Sequence, residues 1–128
     1  MEKGVVQEKS LNFAIRIVKF CEYLQAEKKD FIISKQIIRS GTSIGANIRE
    51  SRNAQSMADF SNKLSIALKE ADETQYWLEL LIGSNKITES EFNSLNNDLK
   101  EIIAILTSSI KTSKKSNEEW GKKNEENQ

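Results

Sequence analysis

The sequence predicts an all-α protein, an antiparallel up-down-up-down four-helix bundle, on three observations. Proline is absent and only five glycines occur in 128 residues, so the usual punctuation of strand-rich folds is missing. Apolar residues recur at three- and four-residue steps through four long segments. Short polar stretches separate these segments, and two of those stretches carry helix-capping sequences. Connections this short make successive helices antiparallel neighbours. The expected helices span about 10–28, 34–54, 57–82 and 88–111 within one domain, 1–113, and 114–128 is expected to be a polar, disordered tail.

In the first helix, Ser10 is placed to cap the start and the charged stretch from Glu27 to Asp30 leaves the end. Its apolar residues form two stripes, one of Leu11, Ala14, Ile15, Val18 and Cys21, the other of Phe13, Ile17, Phe20 and Leu24. Together they span roughly 220°, against the stripe of roughly 100° that a surface helix needs, so two faces should be buried. Ser34 is expected to open the second helix, with Ile37, Gly41, Ile44, Ile48 and Ser51 on one side. Gly41 and Gly45 each cost about 1 kcal/mol of helix propensity, which close approach by a neighbouring helix would offset. A kink near Gly45 is the competing account.

Ser56 to Asp59 resembles a capping box and opens the third helix. Phe60, Leu64, Ala67, Ala71, Thr74, Leu78 and Leu81 then step 4-3-4-3-4-3, the seam of a helix packed lengthwise on its partners. Ile66, Leu68, Trp77 and Ile82 lie off that seam and face either other helices of the bundle or another subunit. Gly83 to Lys86 reads as a turn. Thr88 to Glu91 is a second capping box, and Phe92, Leu95, Leu99, Ile102, Leu106 and Ile110 carry the fourth helix.

The composition narrows function. Lysine plus arginine and aspartate plus glutamate both number 19, so no net field draws the molecule to nucleic acid or membrane, and any such binding needs a local patch. The single cysteine, Cys21, sits among apolar residues and reads as an inert buried thiol of an intracellular protein. The first residues hold no apolar signal region and no apolar run approaches membrane-spanning length, so a cytoplasmic location without a membrane partner is expected. Histidine is absent, which removes Glu-x-x-His di-iron sites and histidine-activated nucleophiles. No catalytic, cofactor or metal site is expected. The enzyme alternative is a Mg²⁺-dependent all-α nucleotide pyrophosphohydrolase-like activity using Glu70 and Glu73 with Asp98 and Glu101.

The stretch from Ser34 to Ser51, SKQIIRSGTSIGANIRES, resembles the signature segment of the bacterial four-helix-bundle family first noted as reading frames within 23S rRNA intervening sequences. The resemblance continues through Asp59-Phe60, Lys63 to Ala71 and Glu73 to Glu79, and covers most of residues 10–110. It implies a bundle that assembles with copies of itself, as a ring of five in known members. It also implies kinship with the accessory protein of diversity-generating retroelements, a strongly basic relative associated with nucleic acid and a reverse transcriptase. This chain differs from that relative in its zero net charge.

Three groups of candidate residues follow. Phe13, Ile17, Phe20, Leu24 and Trp77 are assigned to an oligomer interface. Ser43, Asn47 and Glu50 read as a structural polar cluster whose inter-helix hydrogen bonds fix register, with a polar pocket or partner contact as the alternative. Lys35, Arg39, Arg49 and Arg52 are the candidate nucleic-acid contacts. Residues 34–55 carry a charge balance of plus three and residues 56–83 one of minus three, so pairing between adjacent helices competes with phosphate binding for those cations.

Overall fold

The computed structural model describes residues 4–126, with side chains as far as Lys122; Met1 to Lys3, Asn127 and Gln128 lie outside the described residues. Four helices form: α1 (Gly4–Glu27), α2 (Ile33–Ser51), α3 (Met57–Gly83) and α4 (Glu89–Glu126). Each packs on its chain neighbours, and α4 closes more loosely on α1.

Cross-helix contacts fix the directions. Ile17 meets Gly41 and Ser10 meets Gly45 between α1 and α2. Arg39 pairs with Glu73, and Glu50 with Lys63, between α2 and α3. Gln75 donates to Asn96 between α3 and α4, while Met57 lies beside Asn117. Lys9 pairs with Glu101, and Arg16 with Asp98, between α1 and α4. In every pair the numbers rise on one helix as they fall on the other, so neighbours run antiparallel.

The seam of α3 is as the spacing predicts: Leu64, Ala67, Ala71, Thr74, Leu78 and Leu81 are buried, and only Phe60 at its start is half-exposed. Leu95, Leu99, Ile102, Leu106 and Ile110 of α4 complete the opposing layer. Each such side chain contributes about 1.5–3 kcal/mol on leaving water. Both capping boxes form. Ser56 accepts from the Asp59 N–H, and Thr88 and Glu91 cap one another's backbone N–H groups. At the C-terminus of α3, Asn85 takes the left-handed conformation at φ 62°, and the Lys86 N–H reaches back to the Leu81 carbonyl.

Gly41 and Gly45 answer the question of close approach. An added Cβ on Gly41 would lie 3.0 Å from two carbons of Ile17, and one on Gly45 would lie 3.3 Å from the Ser10 hydroxyl and 3.4 Å from its carbonyl oxygen. α2 runs through both glycines as one helix, and the close packing of α1 accounts for them.

Other boundaries differ from expectation for identifiable reasons. Ser10 is not a cap: α1 begins at Gly4, Val6 extends its buried stripe, and Ser10 is buried in mid-helix with its hydroxyl donating to the Gln7 carbonyl. Nor does Ser34 cap α2. Asp30 takes that role from outside the helix, its carboxylate accepting from the N–H groups of Ile33 and Ser34. The helix stops at Ser51, where the N–H groups of Arg52, Asn53 and Ala54 fold back on the carbonyls of Arg49, Glu50 and Ser51. The stretch after 113 is helical through Glu126 rather than disordered. Lysine and glutamate are good helix formers, and they extend an established helix without needing a core.

Asp30 also ties together the two turns at this end of the bundle, since Lys86 of the α3–α4 turn reaches it at 2.9 Å. Burial would raise its pKa, but Lys86 and the two N–H groups outweigh that and hold the carboxyl below its ordinary value.

Two outcomes follow. Gly41→Val should lower stability by about 1–3 kcal/mol in denaturant titration, because Ile17 has no space to yield, whereas Gly83→Ala, with open space around it, should be neutral or slightly stabilising. Asp30 is favoured as the anion in the native state, so its contribution is present above the unfolded carboxyl pKa of about 4 and is lost as pH falls through the lower native value. Asp30→Asn should therefore reduce stability by about 1–3 kcal/mol at pH 7, and the difference from wild type should shrink in acid.

Candidate functional site

The four candidate cations of α2 do not form one patch. Arg39 is held by Glu70 and Glu73 of α3, and the guanidinium hydrogen bond keeps the Glu73 carboxyl below its ordinary pKa. Lys35 lies near the start of α2 and Arg49 near its end, about 21 Å apart along the helix. Lys35, Arg49 and Arg52 are exposed, and none makes an ion pair among the described residues. Opposite charge on adjacent helices is thus spent on pairing at Arg39 and at Glu50–Lys63, and it leaves the far end of α2 free.

Arg49 and Arg52 border an open cleft of about 950 Å³ at the end of the bundle where α2 passes to α3. Its other walls are Gln7, Ser51, Asn53, Ala54, Gln55, Ser56, Met57 and Phe60, so among the described residues it is lined by two guanidinium groups and no carboxylate.

Ser43 and Asn47 do not fix inter-helix register. The Ser43 hydroxyl donates to the Arg39 carbonyl and the Asn47 amide to the Ser43 carbonyl, both within α2. Only Glu50 of that group bonds across, to Lys63 at 3.3 Å. The buried link between α2 and α3 is instead the 2.9 Å hydrogen bond between Ser40 and Thr74, both fully buried. Thr74 falls on the predicted seam; its partner Ser40 could have been found as the polar residue one step from Gly41 toward α3.

Phe13, Ile17 and Leu24 are corrected as interface residues. They are 1%, 0% and 0% exposed within the single chain, because the close approach at Gly41 draws that stripe against α2. Phe20 and Trp77 are half-buried and packed against the core. Of the other stripe, Cys21 is buried as well, and what stays outside is Leu11 at 49%, Ile15 at 46% and Val18 at 38% exposed. Leu80, Tyr76 and Ile66 are exposed on α3, and Phe31 and Ile32 on the α1–α2 turn.

The carboxylates of the enzyme alternative are not brought together. Glu70 and Glu73 turn toward α2 and bind Arg39, while Asp98 and Glu101 turn toward α1 and bind Arg16 and Lys9. No cluster of three or more potential metal ligands occurs among the described residues. Cys21 is buried, donates to the Ser34 carbonyl and has its pKa raised to about 11, first by burial and then by Asp30, so its thiol stays protonated at neutral pH. Among the described residues no helix is long and apolar enough to cross a membrane.

Four antiparallel helices, with paired charges along their flanks and a cation-lined cleft at one end, define a four-helix bundle. The chain belongs to the 23S rRNA-intervening sequence protein family, which matches residues 2–108. It is similar to a protein of unknown function from the S23 ribosomal protein family of Bacteroides thetaiotaomicron VPI-5482, whose crystal structure at 1.70 Å resolution superposes with a TM-score of 0.85 at 60% identity, covering 87% of this chain and 99% of that one. No curated protein matches the chain.

Proposed function

We propose that this protein is a non-enzymatic, self-assembling scaffold or accessory bundle of the cytoplasm that contacts nucleic acid weakly through cations of α2. The observation that carries self-assembly is the exposed row Leu11, Ile15 and Val18, large apolar side chains at four- and three-residue spacing on one face of α1. A second copy would take that row out of water, and the ring of five implied by the family resemblance is the expected closed form. A cytoplasmic setting accords with a reduced, buried Cys21.

Nucleic-acid contact is supported by the cations that the fold leaves unpaired, Arg49 and Arg52 above all. Arg39 contributes less on this reading because two carboxylates already hold it.

Light scattering after size-exclusion chromatography should give a mass several times the 14.6 kDa of the chain, five times for the expected ring. Leu11→Glu with Ile15→Glu should weaken association at least about tenfold while leaving the helical circular dichroism unchanged. A wild-type monomer at micromolar concentration would contradict self-assembly. Binding of single-stranded RNA or DNA should fall about tenfold between 50 and 200 mM salt and weaken with Arg49→Glu. Absence of salt-sensitive binding at low ionic strength would remove that half of the reading.

A further inference from the structure

At the end of the bundle where α2 gives way to α3, the last carbonyls of the helix and the nearby carboxylates are already engaged. The last carbonyls of α2, those of Arg49, Glu50 and Ser51, accept from Arg52, Asn53 and Ala54. Glu50 is directed to Lys63, and the Asp59 carboxylate folds back on the Gln55 N–H at 3.3 Å. Arg49 and Arg52, three residues apart, have no carboxylate partner among the described residues and border one cleft of about 950 Å³. Met57 and Phe60 give that cleft an apolar wall. Met57 also borders a smaller hollow on the α4 side, where Lys114 adds a third cation and the buried Ser61 hydroxyl has no hydrogen-bond partner.

We propose that the Arg49–Arg52 cleft binds a terminal phosphate, that is, a phosphomonoester carried by a nucleotide or by the 5′ end of a nucleic-acid strand. The charge count separates this ligand from its competitors. A carboxylate or an internal phosphodiester brings one negative charge, which a single guanidinium fork satisfies. A phosphomonoester brings nearly two at neutral pH and three terminal oxygens, which suits two forks. The volume is that of a nucleotide-sized site, and the Met57–Phe60 wall offers the base or sugar an apolar surface. The strand-end form of the proposal rests on the nucleic-acid contact put forward above; the nucleotide form does not.

The test uses the full-length protein, a short single-stranded RNA labelled at its 3′ end and prepared with either a 5′-phosphate or a 5′-hydroxyl, and adenosine monophosphate as competitor. At low salt the 5′-phosphorylated strand should bind about tenfold more tightly than the 5′-hydroxyl strand. Adenosine monophosphate should displace it, and Arg49→Gln and Arg52→Gln, with unchanged circular dichroism and thermal melting, should each abolish the preference. Equal binding of both strands, lost in the arginine variants, would overturn the terminal-phosphate assignment and leave nucleic-acid contact standing. Direct calorimetric binding of adenosine monophosphate with neither strand bound would uphold the cleft as a nucleotide site and overturn the nucleic-acid contact. Binding of neither strand nor nucleotide would overturn both.

Discussion

The contact on which the arrangement depends is the close approach of α1 to α2 over two missing side chains. Gly41 leaves the hollow that Ile17 fills, and Gly45 lets α2 settle on the backbone at Ser10. Two glycines weaken α2 as an isolated helix, and the burial of Phe13, Ile17, Cys21 and Leu24 against it compensates. Because α1 turns this stripe inward, the adjoining Leu11, Ile15 and Val18 are turned outward, and α1 meets α4 mainly through surface pairs such as Arg16–Asp98. One packing choice therefore sets both the core and the apolar face left exposed on α1.

Much of the fold was legible because it is written in local periodicity. The 4-3 spacing from Leu64 to Leu81 named the buried seam of α3, and the capping sequences at Ser56 and Thr88 marked the starts of two helices. The glycines pointed to close packing, although the sequence did not say which helix would approach. What was not legible depended on choices between equivalents. The stripe holding Phe13, Ile17 and Leu24 was assigned to an interface between copies, whereas the close approach at Gly41 draws those residues into the core of one chain. Asp30 was obscured by Ser34, a better-known capping type, because its carboxylate reaches the helix from three residues before the first helical N–H. The polar stretch after 113 was read from what it could not bury, when its lysines and glutamates need only a helix to extend.

The candidate cations were legible as residues but not in their grouping. Four cations on α2 suggested a patch, yet helical spacing alone does not reveal which of them meet carboxylates on α3. Glu70 and Glu73 hold Arg39, and the end of the helix beyond Glu50 has no such partners among the described residues. The useful signal lies in the pattern of pairing across the neighbour, which the sequence showed only as opposite balances of charge.

α4 is 38 residues long and α3 is 27, and Met57, where α3 begins, stands beside Asn117. Residues 118–126 therefore overhang the bundle at the same end as the Arg49–Arg52 cleft, with Trp120 exposed upon them, while Phe31 and Ile32 project from the opposite end. Rotation about a single axis never changes the height of a feature along that axis. A ring whose bundles stand along its rotation axis would accordingly be a polar particle, with every overhang at one level and every Phe31–Ile32 turn at another, and its two rims would greet other molecules with unlike chemistry.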